Sequence, residues 1–99
     1  MRYEIVLSPG ALGNLHALRA YDRQKVQDGI EEFLRYKPLK VSISRIKRLV
    51  GVSHPQFRLR IDSIRIFYDA DPDAGEVKVL AIVQKNEAAR WLAEHGIIK

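Results

Sequence analysis

The chain has 99 residues, of which 46% are apolar and 29% charged, and a formal net charge of +5. That is the length of one domain with a modest core and the composition of a folded chain rather than a disordered one. No cysteine is present, which excludes disulfides, zinc–thiolate sites and thiol nucleophiles, and neither a membrane span of roughly 20 apolar residues nor a secretory leader is readable, so a cytoplasmic protein is expected.

Residues 2–7, RYEIVL, alternate Tyr3, Ile5 and Leu7 against Arg2, Glu4 and Val6, the period-2 signature of a strand. Ser8-Pro9 then marks a helix start, with serine as N-cap and proline at the first helical position. Leu12, Leu15 and Leu18 stripe this helix, while Gly10 and Gly13 weaken it by about 1 kcal/mol each relative to alanine. Asp22 is expected to cap a second helix reaching about Tyr36. Val26, Ile30, Phe33 and Leu34 line its core-facing side, and Pro38 ends it. Residues 39–45 have no clear period. Arg45–Val50 reads as a short basic strand with Ile46 inward, closed by Gly51, and Val52-Ser53-His54-Pro55 reads as a loop.

Residues 57–68 form two alternating runs around a polar turn at Asp62-Ser63, the pattern of a hairpin. Phe57, Leu59, Ile61, Ile64, Ile66 and Tyr68 point into a core; Arg58, Arg60, Arg65 and Phe67 point away from it. A turn symmetric about Asp62-Ser63 sets Arg60 directly opposite Arg65, and Arg58 opposite Phe67. Like charges facing each other across a strand pair are destabilising, so this face is expected to meet an anion. The charge distribution agrees. Residues 40–65 hold seven basic side chains (Lys40, Arg45, Lys47, Arg48, Arg58, Arg60, Arg65) and one acid, Asp62, a net of +6. The remaining 73 residues hold ten basic and eleven acidic groups, a net of −1. Basic residues concentrated on adjacent strands suggest a phosphate-binding surface, with Arg45, Lys47 and Arg48 as further RNA-binding candidates.

Asp69–Gly75, DADPDAG, is a turn cluster, and Val77–Val83 is an apolar, β-branched run expected as a central strand. Gln84 and Lys85 leave that strand. Asn86 is expected to cap a last helix through about Glu94, with Gly96 as its stop. The predicted order is β-α-α-β-β-β-β-α, an α+β fold in one domain over 1–99. A helical pair would cover one face of a twisted, mostly antiparallel sheet, and the arginines would occupy the other.

No Gly-rich phosphate loop, metal-spaced His/Asp/Glu cluster or nucleophile-elbow serine is present. His16 and His95 read as structural, whereas His54, in a loop leading into the arginine strand, is a candidate acid–base group. Guanidinium forks match phosphate geometry and stay charged at cellular pH. They can hold a scissile phosphate and stabilise a pentacoordinate transition state, but they move protons poorly.

The chain resembles the RelE/ParE superfamily of toxins from bacterial toxin–antitoxin modules. Three features carry the likeness: the basic stretch Lys47-Arg48-Leu49-Val50-Gly51, the hairpin Phe57-Arg58-Leu59-Arg60 with Ile64-Arg65-Ile66-Phe67-Tyr68, and a final apolar strand with a basic exit. The resemblance implies a cytoplasmic toxin, without a small-molecule cofactor, held inactive by an antitoxin encoded in an adjacent gene. RelE-like members cut mRNA at the ribosome without a metal, using two basic residues on one strand and an arginine on the next; Arg58, Arg60 and Arg65 match these. Lys85 would replace a further arginine after the last strand. Trp91 falls where a catalytic tyrosine is expected, and an indole cannot act as acid or base, though it could stack on a nucleobase. Proton transfer would then fall to Lys85, His54 or Lys47. Two other readings stay open: a ParE-like inhibitor of DNA gyrase, and a non-catalytic domain of toxin fold.

Overall fold

The computed structural model describes all 99 residues. Its organising element is the hairpin of Phe57–Ile61 (β4) and Ile64–Asp71 (β5). Phe57 pairs with Tyr68, Arg58 with Phe67, Leu59 with Ile66, Arg60 with Arg65 and Ile61 with Ile64, as a turn at Asp62-Ser63 requires. Asp62 adopts a φ of 50°, a left-handed conformation that aspartate tolerates better than a β-branched residue. All six inward residues of the hairpin are buried in one core.

Glu4–Leu7 (β1), Ile46–Arg48 (β2) and Glu76–Gln84 (β6) complete a five-stranded sheet in the order β1-β6-β5-β4-β2. Only β1 and β6 run parallel; the other neighbours are antiparallel. Val77, Val79, Ala81 and Ile82 of β6 are buried, consistent with its inner position. The register of β5 on β6 slips once, because Phe67 faces Ala81 while Tyr68 faces Val79. Leu80 is the extra residue of this bulge.

Pro9–Ala17 (α1) and Ala20–Leu34 (α2) cover the inner face. Ser8 caps α1 as expected. Its Oγ accepts the Ala11 N–H at 3.1 Å and donates to the carbonyl of Leu80 at 3.1 Å, joining the helix start to the bulge. The second helix begins three residues earlier than expected, with Arg19 in place of Asp22 at the N-cap, so Asp22 lies in its first turn and makes no cap bond. A carboxylate there still opposes the helix dipole favourably. The junction is held by Arg23, whose guanidinium donates to the carbonyls of Leu15, His16 and Leu18 at 3.3, 3.2 and 2.8 Å. The Leu15 carbonyl also accepts the Leu18 N–H at 3.2 Å, so the guanidinium adds to the capping of α1. Val26, Ile30 and Leu34 are buried along α2. Gly29 lets that helix approach the sheet, since a Cβ there would come within 2.4 Å of Ile61 Cδ1.

A 3-10 turn, Lys85–Glu87, precedes Ala88–His95 (α3). Asn86 falls inside that turn, and Glu87 takes the N-cap position without a side-chain bond. Gly96 ends the helix with its N–H on the carbonyl of Leu92 at 2.8 Å. Beyond the expected elements, Val52–His54 (β3) and Ile97–Ile98 (β7) pair antiparallel as a second, two-stranded sheet. Strands this short have no alternation to read.

The buried Tyr68 hydroxyl donates to the carbonyl of Pro38 at 2.6 Å, pinning the chain after α2 to the sheet. Burial holds this phenol above its ordinary pKa. The unfolded chain ionises it from about pH 10, whereas the native state keeps it neutral. Native stability therefore falls as pH rises above about 10. Tyr68→Phe is expected to flatten that alkaline decline and to cost about 1–3 kcal/mol at neutral pH, where the Pro38 carbonyl loses its donor. Urea titrations at neutral and alkaline pH check both effects.

Candidate nucleic-acid interface

Residues paired across strands share a face of the sheet, so the register places the basic side chains directly. Arg60 and Arg65 form one row of the outer face. Lys47, Arg58 and Phe67 form the next. Arg60 and Lys47 are exposed and Arg58 is half-buried, while Arg65 is only 7% exposed. The facing arginines coexist because Arg65 is turned into the hairpin. Its Nη1 donates to the carbonyls of Asp62 at 2.7 Å and Ile64 at 3.2 Å.

No carboxylate neutralises these rows. Asp62, the one acid of the basic segment, pairs with Lys25 of α2, and the other ion pairs lie elsewhere. Arg58 Nε is buried without a hydrogen-bond partner, a donor that costs free energy until something accepts from it. Burial, then the charges of Arg65 and Arg60, pull the Arg58 pKa below its usual value. Burial and then Arg60 do the same to Arg65. Guanidinium starts so far above neutrality that both remain cations. The face is a preformed positive surface that holds one buried, unpaired donor.

Lys85 lies beside the hairpin turn: its backbone N–H donates to the carbonyl of Ser63 at 2.7 Å, and its side chain is exposed. Other sequence candidates are placed elsewhere. Arg48 pairs in register with the core residue Phe57, and its guanidinium lies 5.0 Å over that ring, away from the outer face. Arg45 precedes β2 and turns to the helix layer, 5.2 Å over Phe33. His54 is held by Asp69, Nδ1 to Oδ2 at 2.9 Å, four strand positions from Arg65, or about 13 Å along β5. Its cleft is lined by Asp69, Asp71, Glu76 and Lys78, so His54 lies among three acids and one base, apart from the arginine rows.

Trp91 is corrected too. Its indole stacks on Phe67 at 5.1 Å and 8°, and His95 stacks on the ring at 5.0 Å and 21°. Two aromatic partners occupy the indole, which therefore does not present a free platform for a base. Phe67 is 1% exposed although it points away from the core, because α3 lies over it. An apolar residue at an outward position of an alternating strand was the signal for such a cover. Asp69 is a site residue that the sequence did not single out, since only the fold brings it to His54 and to the Gln56 N–H at 2.8 Å.

Chemically, the outer face can bind a phosphodiester through several guanidinium donors and stabilise charge that builds on its oxygens. Lys47 and Lys85 flank it as groups able to carry a proton. No group of three or more His, Cys, Asp or Glu side chains is arranged to hold a metal ion. No helix is long and apolar enough to cross a membrane.

No residue of α3 is fully buried, and the Phe67–Trp91 stack is one of its holds on the sheet. Such pairs contribute about 0.5–1.5 kcal/mol beyond the area they bury. Phe67→Ala is expected to release α3 before global unfolding. The sole tryptophan reports it directly: its emission should shift to the red and its quenching by iodide should rise, with the core transition retained.

No protein-family model matches the chain, and no curated relative matches it significantly. Solved structures do. A free-state mutant of the toxin RelE from E. coli is similar with a TM-score of 0.70 and 21% identity, over 95% of this chain and 94% of that one. The toxin–antitoxin complex RelBE2 from Mycobacterium tuberculosis gives 0.67 and 23% over 85% and 99%. The archaeal RelE–RelB complex from Pyrococcus horikoshii gives 0.69 and 17% over 86% and 97%. The α+β architecture built here around an arginine-bearing hairpin is the RelE-like toxin fold.

Proposed function

We propose that this chain is the toxin of a toxin–antitoxin module and an endoribonuclease that cuts mRNA at the ribosome, stopping translation. One observation carries the reading: Arg58, Arg60, Arg65 and Lys47 share the outer face of a RelE-like sheet with no carboxylate paired to them.

In the proposed reaction the 2′-hydroxyl of the nucleotide before the cut attacks the adjacent phosphorus. Its proton leaves as the new O–P bond forms, and the 5′-oxygen departs with a proton, giving a 2′,3′-cyclic phosphate and a 5′-hydroxyl. Arg58 and Arg60 grip the non-bridging oxygens, and the unpaired Arg58 Nε gains an acceptor. Arg65, fixed to the turn carbonyls, adds a positive charge that needs no reorganisation when the phosphorane forms. A lysine ammonium, Lys47 or Lys85, gives its proton to the leaving oxygen, and the proton of the attacking hydroxyl passes to a base outside this chain, on the ribosome or in solvent. Trp91 has no part in the proton transfers.

The solved RelE–RelB and RelBE2 assemblies hold a toxin with its antitoxin, which supports a cognate antitoxin, encoded next to this chain, as its partner. An acidic segment that orders on binding would silence the basic face by covering it. The setting is the cytoplasm.

Induced expression followed by mapping of mRNA 5′ ends tests the reading. New ends within translated codons are expected, and Arg60→Ala should reduce them by about 100-fold or more with an unchanged melting temperature, because Arg60 is exposed. Arg65→Ala should lose the same activity and also about 1–3 kcal/mol of stability, since two turn carbonyls lose their donor. DNA-damage signalling with intact mRNA would point to gyrase instead.

A further inference from the structure

We infer that RNA leaving the arginine face continues around the edge of the sheet into a second phosphate site made by Lys37, Lys40 and Arg45; this rests on the RNA-cutting function proposed above. The end of α2 and the segment leading to β2 enclose a cavity of about 310 Å³, whose lining includes Lys37, Lys40, Ser42, Ser44, Arg45 and the carboxylate of Glu32. Its volume is at the lower end of small-molecule sites, about 300–1,000 Å³. Three cations face one acid there, and none of the three is ion-paired.

The cavity wall is preformed. Ser42 Oγ accepts the N–H groups of Arg45 and Ile46 at 3.1 and 3.2 Å, and the Ser42 N–H donates to the carbonyl of Ile46 at 2.9 Å. Beneath it, Tyr68 holds Pro38. Ordering these groups therefore adds little cost to binding.

Arg45 connects the cavity to the outer face. Its Nη1 donates to the carbonyl of Arg60 at 3.2 Å, and the Arg60 N–H donates to the carbonyl of Arg45 at 2.9 Å. Arg45 thus lies between Arg60 on the outer face and the Lys37 and Lys40 side of the cavity. A polyanion with regularly spaced charges matches such a path better than a compact anion does. Arg45, lost from the outer face by its rotation over Phe33, gains this lateral role.

The test uses single-stranded RNA carrying 2′-O-methyl groups, so that no cleavage occurs, in lengths of about 4 and about 16 nucleotides. The variant is Lys37→Gln with Lys40→Gln, both exposed, with a melting curve as folding control. For the long RNA, affinity at low salt should fall about tenfold and the salt slope should become shallower by about 1.4, or about 0.7 per lost phosphate contact. Binding of the short RNA should not change. Unchanged binding of the long RNA, or equal loss for both lengths, would overturn the second site while leaving the proposed nuclease face intact. A wild-type chain that binds neither RNA would also overturn the second site, while the mapping of mRNA 5′ ends decides the nuclease reading separately.

Discussion

The opposition of Arg60 and Arg65 across the β4–β5 hairpin is the constraint around which this molecule is arranged. Burying six alternating apolar residues on one face leaves the register no freedom, because a one-residue slip would expose the whole set. That register puts two guanidinium groups side by side. The fold contains the repulsion by folding Arg65 onto the carbonyls of Asp62 and Ile64, leaving Arg60 in solvent. One arginine becomes part of the turn, and the other stays available.

The surroundings preserve the positive charge. Asp62 could have neutralised the pair but is drawn to Lys25 on the opposite side of the sheet. The acids of the Asp69–Asp73 region lie beyond Phe67, where Asp69 binds His54 and the Gln56 N–H. The face consequently has a polarity along its length: cations at the turn, an aromatic stack in the middle, and carboxylates at the far end. A phosphodiester chain entering it is directed to the turn and then sideways past Arg45, away from the acidic cleft.

Much of this was legible in the residues. Period-2 alternation gave the hairpin, its register and the outward arginines, because a two-residue turn leaves a single pairing that buries all the apolar side chains. Ser8-Pro9 gave the start of α1, and the β-branched run gave β6. What could not be read was set by distant contacts. Arg23 ties the end of α1 to the first turn of α2, a link between neighbouring helices that no local pattern announces, and β3 and β7 exist only because the fold brings Val52 and Ile98 together. Register with Phe57 keeps Arg48 off the outer face, and Arg45 leaves it by turning over Phe33. Trp91 was readable as a large side chain in a helix, but its partners Phe67 and His95 depend on where α3 lands. His54 looked suited to catalysis from its place before the arginine strand; only the fold shows that it is held by Asp69, fifteen residues later and four strand positions from Arg65.

The central claim is that one phosphodiester rests on Arg58, Arg60 and Arg65. A structure of the protein with a short RNA that bears a 2′-O-methyl group at the cleavable position tests it most directly. The account predicts a phosphorus between these three guanidinium groups, with the Arg58 Nε donating to one of its oxygens and Trp91 still stacked on Phe67. A bound RNA whose phosphates all lie off this face, leaving the Arg58 Nε without an acceptor, would contradict it.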